Sequence, residues 1–302
     1  MNIRFYNGED GMNKKYSLGD RVFDIFNVIF MVLFAIICIY PFLYILNLSW
    51  SANASVAQYG LNLWPKGGIT FDNYKLVFSS DAIMSGFANT ILRTGIGTFL
   101  MLIFTILGAY PLSKKYFPNR RLWTSFIVIT MFFNGGLIPN FFLVRGIGLY
   151  NTFWSLVLPG LINTFYMIIM RNFMMTIPDS LEESAKIDGA NDVRILVNII
   201  LPVCKPIIAT VALWSAVWHW NSYFDSLIYI SDQKKQVLQV VLYRIINAGS
   251  NADLVAATTQ DLPFPEILKA STIIITILPI VMVYPFLQKY FMKGMLIGSV
   301  KG

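Results

Sequence analysis

The sequence predicts an all-α fold, a polytopic membrane helical bundle of six transmembrane helices, from its composition and its apolar runs. Hydrophobic residues make up 56% of the 302 residues and charged residues only 13%, against about 25% charged in a typical soluble domain. Six apolar runs are each long enough to cross a hydrocarbon core of about 30 Å as a helix. The runs lack the polar and apolar alternation of membrane-spanning strands.

The six predicted helices divide the chain into four parts. The helices cover approximately residues 25–48, 87–112, 122–143, 153–174, 199–223 and 270–291. The parts are an N-terminal tail (1–24), the first helix with its following loop (25–86), a core (87–291) that contains a polar loop (177–202), and a C-terminal tail (292–302). A signal peptide is the alternative for the first run, which follows Lys14, Lys15 and Arg21. Because signal peptides have apolar runs of only about 7–15 residues, we expect this helix to be retained.

The distribution of charge predicts the orientation in the membrane. The formal net charge is +7, which would also suit a nucleic-acid-binding protein. With a cytoplasmic N-terminus, however, most Lys and Arg residues fall on inner segments, and "LSKKYFPNRR" (112–121) is the clearest short inner loop. This is the positive-inside pattern of membrane proteins. We therefore expect both termini in the cytoplasm, lipid around the apolar helices, and no nucleic-acid partner.

The polar loop, "IPDSLEESAKIDGANDVRILVNIILP", predicts a helix, a turn and a second helix. Capping-box patterns at Thr176 and Ser180 start the first helix near Pro178. Gly189 can adopt the left-handed conformation that ends it, and Asn191 can cap the second helix. At helical spacing, one face of the first helix consists of Leu181, Ser184, Ala185 and Asp188. Glu182 lies away from this face. A capped surface loop without a partner is the alternative interpretation.

The same loop resembles the signature of a known family. Glu183-Ser184-Ala185, three residues, Gly189, nine residues and then "IILP" (199–202) resembles the EAA motif of the membrane subunits of bacterial ABC importers. Ser184 stands where the motif has Ala. "EESAKIDGA", "HWNSYFDSLIYI" and the tail "YFMKGMLIGSVKG" are similar to the carbohydrate branch, in particular to the second permease of maltose-type and complex-oligosaccharide importers.

The resemblance implies a type I ABC importer transmembrane domain in a bacterial cell membrane. It implies a coupling helix that docks on a cytoplasmic ATPase, with Glu183 as the acidic contact, Ala185 as the small docking surface and Gly189 as the turn. The implied coupling residues are Leu181, Glu182, Glu183, Ser184, Ala185, Asp188 and Gly189. The chain contains no Gly-x4-Gly-Lys-[Ser/Thr] phosphate loop, so we expect no catalysis and no cofactor in it, with ATP and Mg²⁺ bound by two partner ATPase subunits.

The remaining implied partners are a second permease in a heterodimer, an extracellular solute-binding protein and an oligosaccharide. Polar and aromatic side chains inside spans are candidates for the sugar path: Asn89, Arg93, Asn134, Asn163, Tyr166, Trp218, His219, Asn221 and Asp225. Packing between helices is the alternative role for each. The resemblance places a loop toward the binding protein within residues 245–263, with candidates Gly249, Ser250, Asn251 and Asp253.

Two other classes of protein compete with an importer subunit. A stand-alone secondary transporter would show inverted repeats, broken helices or buried acids for ion coupling. A membrane enzyme would need clustered His, Asp or Glu, and the chain has one histidine. We expect no metal site. The resemblance of "IDGA" and of the C-terminal tail to the carbohydrate branch implies a sugar rather than a phosphate, peptide or amino acid as the solute.

Overall fold

The structure, a computed structural model, describes residues 18–52, 64–65, 67–248 and 265–299. Thirteen α-helices lie in these ranges: α1 (Leu18–Trp50), α2 (Asp72–Ser79), α3 (Asp81–Ser113), α4 (Arg120–Thr130), α5 (Leu137–Gly146), α6 (Thr164–Met174), α7 (Ser180–Ile187), α8 (Asp192–Ile195), α9 (Leu201–Val203), α10 (Lys205–Asn221), α11 (Phe224–Tyr229), α12 (Leu238–Ala248) and α13 (Pro265–Ser299). Short 3-10 helices occupy Phe153–Leu156, Leu158–Gly160 and Gln233–Lys235, and a π-helical turn occupies Leu196–Ile200. The predicted helical bundle is confirmed.

Three of the helices are long and apolar enough to cross a membrane unbroken. They are α1 over Arg21–Trp50, α3 over Asp81–Ser113 and α13 over Glu266–Val283. Two further spans are bent pairs: Phe153–Gly160 with Thr164–Met174 at 50°, and Asp192–Val203 with Lys205–Asn221 at 81°. The spans predicted at residues 153–174 and 199–223 therefore each contain or adjoin a bend.

The span predicted at residues 122–143 is divided between α4 and α5. These helices contain 11 and 10 residues, about 16 Å each, or half of the hydrocarbon core. The Asn134 side-chain oxygen accepts a hydrogen bond from the Gly136 backbone N–H at 2.9 Å, and Gly136 has a φ of 85°. The local turn competes with helix formation, which explains why this run is not one continuous helix.

The central helix α3 packs against α6, α10 and α12. The largest buried apolar cluster joins α3, the methionines of α6 and the segment from α8 to α10, and its members include Tyr110, Met167, Met170, Met174, Ile195, Ile200, Cys204 and Val211. The polar loop adds Ile177 to this cluster, with Ala185 packed at its edge. The polar loop is therefore attached to the bundle by apolar contacts of these two side chains.

The burial of helix α1 against the rest of the chain is concentrated near its C-terminal end, among the residues described. Leu48, with Tyr44 and Ile45 beside it, packs on Ile267 and Ala270 of α13. The apolar side chains from Val22 to Ile39 are exposed, as expected for a helix that lies in lipid or against a partner.

Gly97→Leu is expected to destabilise the bundle, whereas Gly95→Leu on the same helix is not. A Cβ atom at Gly97 would lie 2.5 Å from the buried ring of His219, while nothing lies within 4 Å of a Cβ atom at Gly95. Overpacking of this kind costs about 1–3 kcal/mol. Thermal unfolding of both variants in detergent checks this, and equal midpoints would contradict the packing described.

Candidate coupling loop and translocation surface

The polar loop folds as the helix, turn and helix that its sequence predicts. Gly189 follows α7 with a φ of 78°, and the Asn191 side-chain oxygen accepts a hydrogen bond from the Arg194 N–H at 2.9 Å. The predicted capping boxes are wrong: no side chain caps the N-terminus of α7. Asp179, at the cap position, instead accepts a hydrogen bond from the Lys115 ammonium at 2.7 Å, and this bond lowers the pKa of Asp179.

Helix α7 has one face toward the bundle and one toward its surroundings. Glu182 is buried, 8% exposed, and Ala185 is half-buried. The exposed residues of the helix and its C-terminal turn are Ser180, Leu181, Glu183, Ser184, Lys186, Ile187, Asp188 and Gly189. Ile187 is 87% exposed, and sequence reasoning missed it. An apolar residue amid the charges of a short helix was the signal that could have identified it.

Glu182 forms a buried ion pair with Lys114, the residue that ends α3. The Lys114 ammonium also lies 4.5 Å from the centre of the Tyr110 ring. Burial lowers the pKa of Lys114, and the nearby carboxylate of Asp179 acts in the opposite direction. Glu182 therefore contacts its own chain, while the other predicted coupling residues except Ala185 are exposed.

A second ion pair joins Arg93, in the N-terminal half of α3, to Asp225 of α11, whose side chain is 25% exposed. Arg93, which is fully buried, donates to both oxygens of Asp225, with a distance of 3.1 Å from Nη1 to Oδ1. Its Nη1 also lies 3.1 Å from the Ser222 carbonyl oxygen. The Asn89 amide donates to the carbonyls of Lys234 at 2.8 Å and Gln236 at 3.0 Å. Three of the predicted path residues, Asn89, Arg93 and Asp225, thus bind segments of this chain to one another.

An aromatic group forms between α6 and α10. The Trp214 ring centre lies 5.8 Å from that of Tyr166 and 6.1 Å from that of Phe165. Asn163 caps α6 by accepting a hydrogen bond from the Tyr166 N–H at 3.2 Å. Sequence reasoning missed Trp214 and Phe165. Trp214 precedes Trp218 by four residues, so the two share a helix face, and this spacing could have identified it.

The other predicted path residues lie apart from this aromatic group or at its margin. Trp218 is exposed and packs edge-on against buried His219, with ring centres 4.7 Å apart. Asn221 is exposed and bonds to the Val217 carbonyl at 2.8 Å. Asn134 is used in the turn before α5. The candidates for the binding-protein loop, Gly249, Ser250, Asn251 and Asp253, lie outside the described residues.

The bundle of bent and straight apolar helices, with a compact polar helix–turn–helix at one end, has the architecture that the sequence predicted for a membrane transport subunit. The chain belongs to the family of binding-protein-dependent transport system inner membrane components, whose family model matches residues 115–297. It is a multi-pass membrane permease subunit of an ABC importer, as the EAA motif predicted.

Two relatives and one solved structure illustrate the similarity. Protein LplC of Bacillus subtilis (strain 168) is 44% identical over 93% of this chain and 96% of its own length. The polygalacturonan/rhamnogalacturonan transport system permease protein YtcP of the same organism is 38% identical over 94% and 99%. A chain in the crystal structure of a bacterial ABC transporter that imports the acidic polysaccharide alginate matches with a TM-score of 0.85 and 36% identity, over 91% of this chain and 99% of that one. The predicted type I importer fold is thereby confirmed.

Proposed function

We propose that this permease moves a carbohydrate, specifically an oligosaccharide, from an extracellular binding protein into the cytoplasm by alternating access. The observation that carries the proposal is the aromatic group of Phe165, Tyr166 and Trp214 between two spans. Flat aromatic faces suit the apolar faces of sugar rings, and hydroxyl or amide groups beside them replace water. The names of YtcP and of the melibiose/raffinose/stachyose import permease MelC of Bacillus subtilis (strain 168), which is 29% identical over 78% of this chain, agree with it.

The proposed energy source is a pair of separate ATPase subunits that bind ATP and Mg²⁺. Their docking surface is the exposed side of α7, where Leu181 and Ile187 supply apolar area and Glu183 and Asp188 supply negative charge. The α7 end then faces the cytoplasm, as do both termini. A second permease completes a heterodimeric pathway, and a solute-binding protein delivers the sugar at the α11 end.

Closure of an ATPase dimer would draw two such helices together and change which side of the pathway is open. Such a bundle is a two-state device, and a ligand shifts it only through its difference in affinity for the two states. Coupling between the ATP site and the sugar site must also be reciprocal. Bound sugar with binding protein should therefore raise the affinity for ATP, and hydrolysis at subsaturating ATP should increase.

The test of the proposal is purification of the tagged chain from its native membrane in mild detergent. Mass spectrometry of the partners is followed by ATPase assays with and without oligosaccharides and the binding protein. Recovery of a second permease and an ATPase, with sugar-stimulated hydrolysis, supports the proposal. If only a phosphate, a peptide or an amino acid stimulated hydrolysis, the solute would belong to that class and not to the carbohydrates. Transport by this chain without ATP would overturn the proposed coupling to an ATPase.

Trp214→Ala is expected to raise the sugar concentration needed for half-maximal transport several-fold, because an aromatic contact contributes about 0.5–1.5 kcal/mol. The control is Trp123→Ala, which removes an exposed tryptophan of α4 outside the aromatic group. Transport of labelled oligosaccharide by reconstituted complexes measures both. An unchanged half-maximal concentration in Trp214→Ala would remove this group from the sugar path.

A further inference from the structure

Helix α3 is bonded to other segments in its N-terminal half and at its C-terminal end, and the contact at the α7 end is the more unusual. Lys114 ends α3, and Glu182 lies on the bundle-facing side of α7. Both residues are 8% exposed. The ammonium and carboxylate groups pair with each other while the Tyr110 ring covers the lysine.

We propose that Lys114 and Glu182 form the positioning contact through which movement of α7 reaches α3. The inference rests on the proposed function, in which an ATPase moves α7. Neither residue meets ATP or the solute. They act by keeping the end of a spanning helix in register with the docking helix.

The first support is the contrast with the neighbouring ion pair between Lys115 and Asp179. That pair joins the same two segments, but its side chains are 79% and 62% exposed. Water and salt weaken an exposed pair, whereas a buried pair keeps its strength and its geometry. Of the two ion pairs, the buried one is therefore better able to hold α7 and the end of α3 together while the loop is being displaced.

The second support is the position of α7 between two surfaces. Its exposed side carries Ile187 and Glu183, while its other side carries Glu182 and the half-buried Ala185, which packs at the edge of the buried cluster. A partner that moves the exposed side must move the bundle-facing side as well. Glu182 is the buried charged group of α7, and its partner Lys114 is the C-cap residue of α3. Lys186, one turn further on, is exposed and lies 4.3 Å from the centre of the Tyr116 ring.

The third support is the continuity of α3 toward the other ion pair. The helix is continuous over Asp81–Ser113, with Pro111 in its last turn. Arg93 and Lys114 are 21 positions apart, which corresponds to about 31 Å of helix rise, the thickness of a hydrocarbon core. Arg93 binds Asp225 of α11, and the Thr90 hydroxyl accepts a hydrogen bond from the Leu238 N–H of α12 at 2.9 Å. A displacement of α3 at Lys114 is thus passed to α11 and α12.

The test compares reconstituted complexes that carry Lys114→Met, Glu182→Gln, or the exchanged pair Lys114→Glu with Glu182→Lys. Lys115→Met is the matched control, because it breaks the exposed pair between the same segments. The measured quantity is solute transported per ATP hydrolysed by complexes that retain the ATPase. We expect this ratio to fall about tenfold in each single variant, within the ~5–150-fold range of coupling free energies. The control should stay close to wild type, and the exchanged pair should recover most of the ratio.

The single variants could lose transport because the complex fails to assemble. A variant that removes both charges distinguishes this from a loss of coupling. Lys114→Met combined with Glu182→Leu leaves no unpaired buried charge, so it should fold, yet it lacks the directional contact and should remain uncoupled. If the assembled double variant transports as much solute per ATP as wild type, the pair is only structural and the inference is overturned. A failure of the proposed function would give a different result from a failure of this inference. In that case the wild-type protein itself would not bind an ATPase or would not respond to the sugar.

Discussion

Glu183→Lys and Ile187→Asp are each expected to release the ATPase subunits from an otherwise intact permease. Both side chains are exposed on α7 and contribute nothing to the buried cluster of the bundle. Glu183→Lys would reverse the sign of a charge in the docking surface. Ile187→Asp would place an unpaired negative charge where the surface is apolar. Residues central to an interface cost about 2 kcal/mol or more when lost, which corresponds to at least a ~30-fold loss of affinity.

Pull-down of the tagged permease, with quantification of the bound ATPase, checks this expectation. Asp81→Lys is the matched control for Glu183→Lys, since it makes an equivalent charge change on an exposed residue at the far end of α3. The control should retain the ATPase. Wild-type retention by both α7 variants would show that the ATPase docks elsewhere, whereas loss of the permease from the membrane would indicate a folding defect.

Arg93→Met alone and Asp225→Asn alone are each expected to destabilise the permease. Asp225→Asn leaves the fully buried Arg93 without its partner, which costs about 3–5 kcal/mol, and Arg93→Met leaves the partly exposed Asp225 carboxylate unpaired, which costs less. Arg93 joins α3 to Asp225 of α11 and to the Ser222 carbonyl before it. In detergent the loss should lower the unfolding midpoint by about 5–10 °C. Arg93→Met combined with Asp225→Leu should recover most of it, because no unpaired charge remains.

Lys75→Met is the control for this second prediction. It breaks the ion pair with Asp72 on α2, whose side chains are 80% and 72% exposed, and exposed pairs contribute about 0–1 kcal/mol. A midpoint change in Arg93→Met no larger than in Lys75→Met would contradict the importance of the buried pair. The same claim would be contradicted if the double variant unfolded at a lower temperature than either single variant.

Features with local causes could be predicted from the sequence. The left-handed Gly189 and the cap by Asn191 follow from residues within one turn of each other, and both are present. The break at Asn134 and Gly136 also has a local cause. It was missed because the apolar residues on both sides dominate a hydropathy window of about 20 residues.

Features with distant partners could not be predicted in this way. Glu182 and Lys114 are 68 positions apart, and Arg93 and Asp225 are 132 apart. Helical spacing places Glu182 away from the small face of α7 but does not reveal a lysine at the end of another helix. Likewise, a polar residue in a span indicates a function or a packing contact, and the sequence does not distinguish the two for Asn89.

The separation of Arg93 from Asp225 also has a consequence for biosynthesis. When α3 leaves the ribosome its arginine has no counter-ion, and Asp225 is made 132 residues later. At about 5–20 residues per second the interval is roughly 7–26 seconds, during which a charge that lies about one core thickness from Lys114, at the edge of the hydrocarbon core, has no counter-ion. We expect the nascent helix to keep this side chain in contact with water until α11 has emerged.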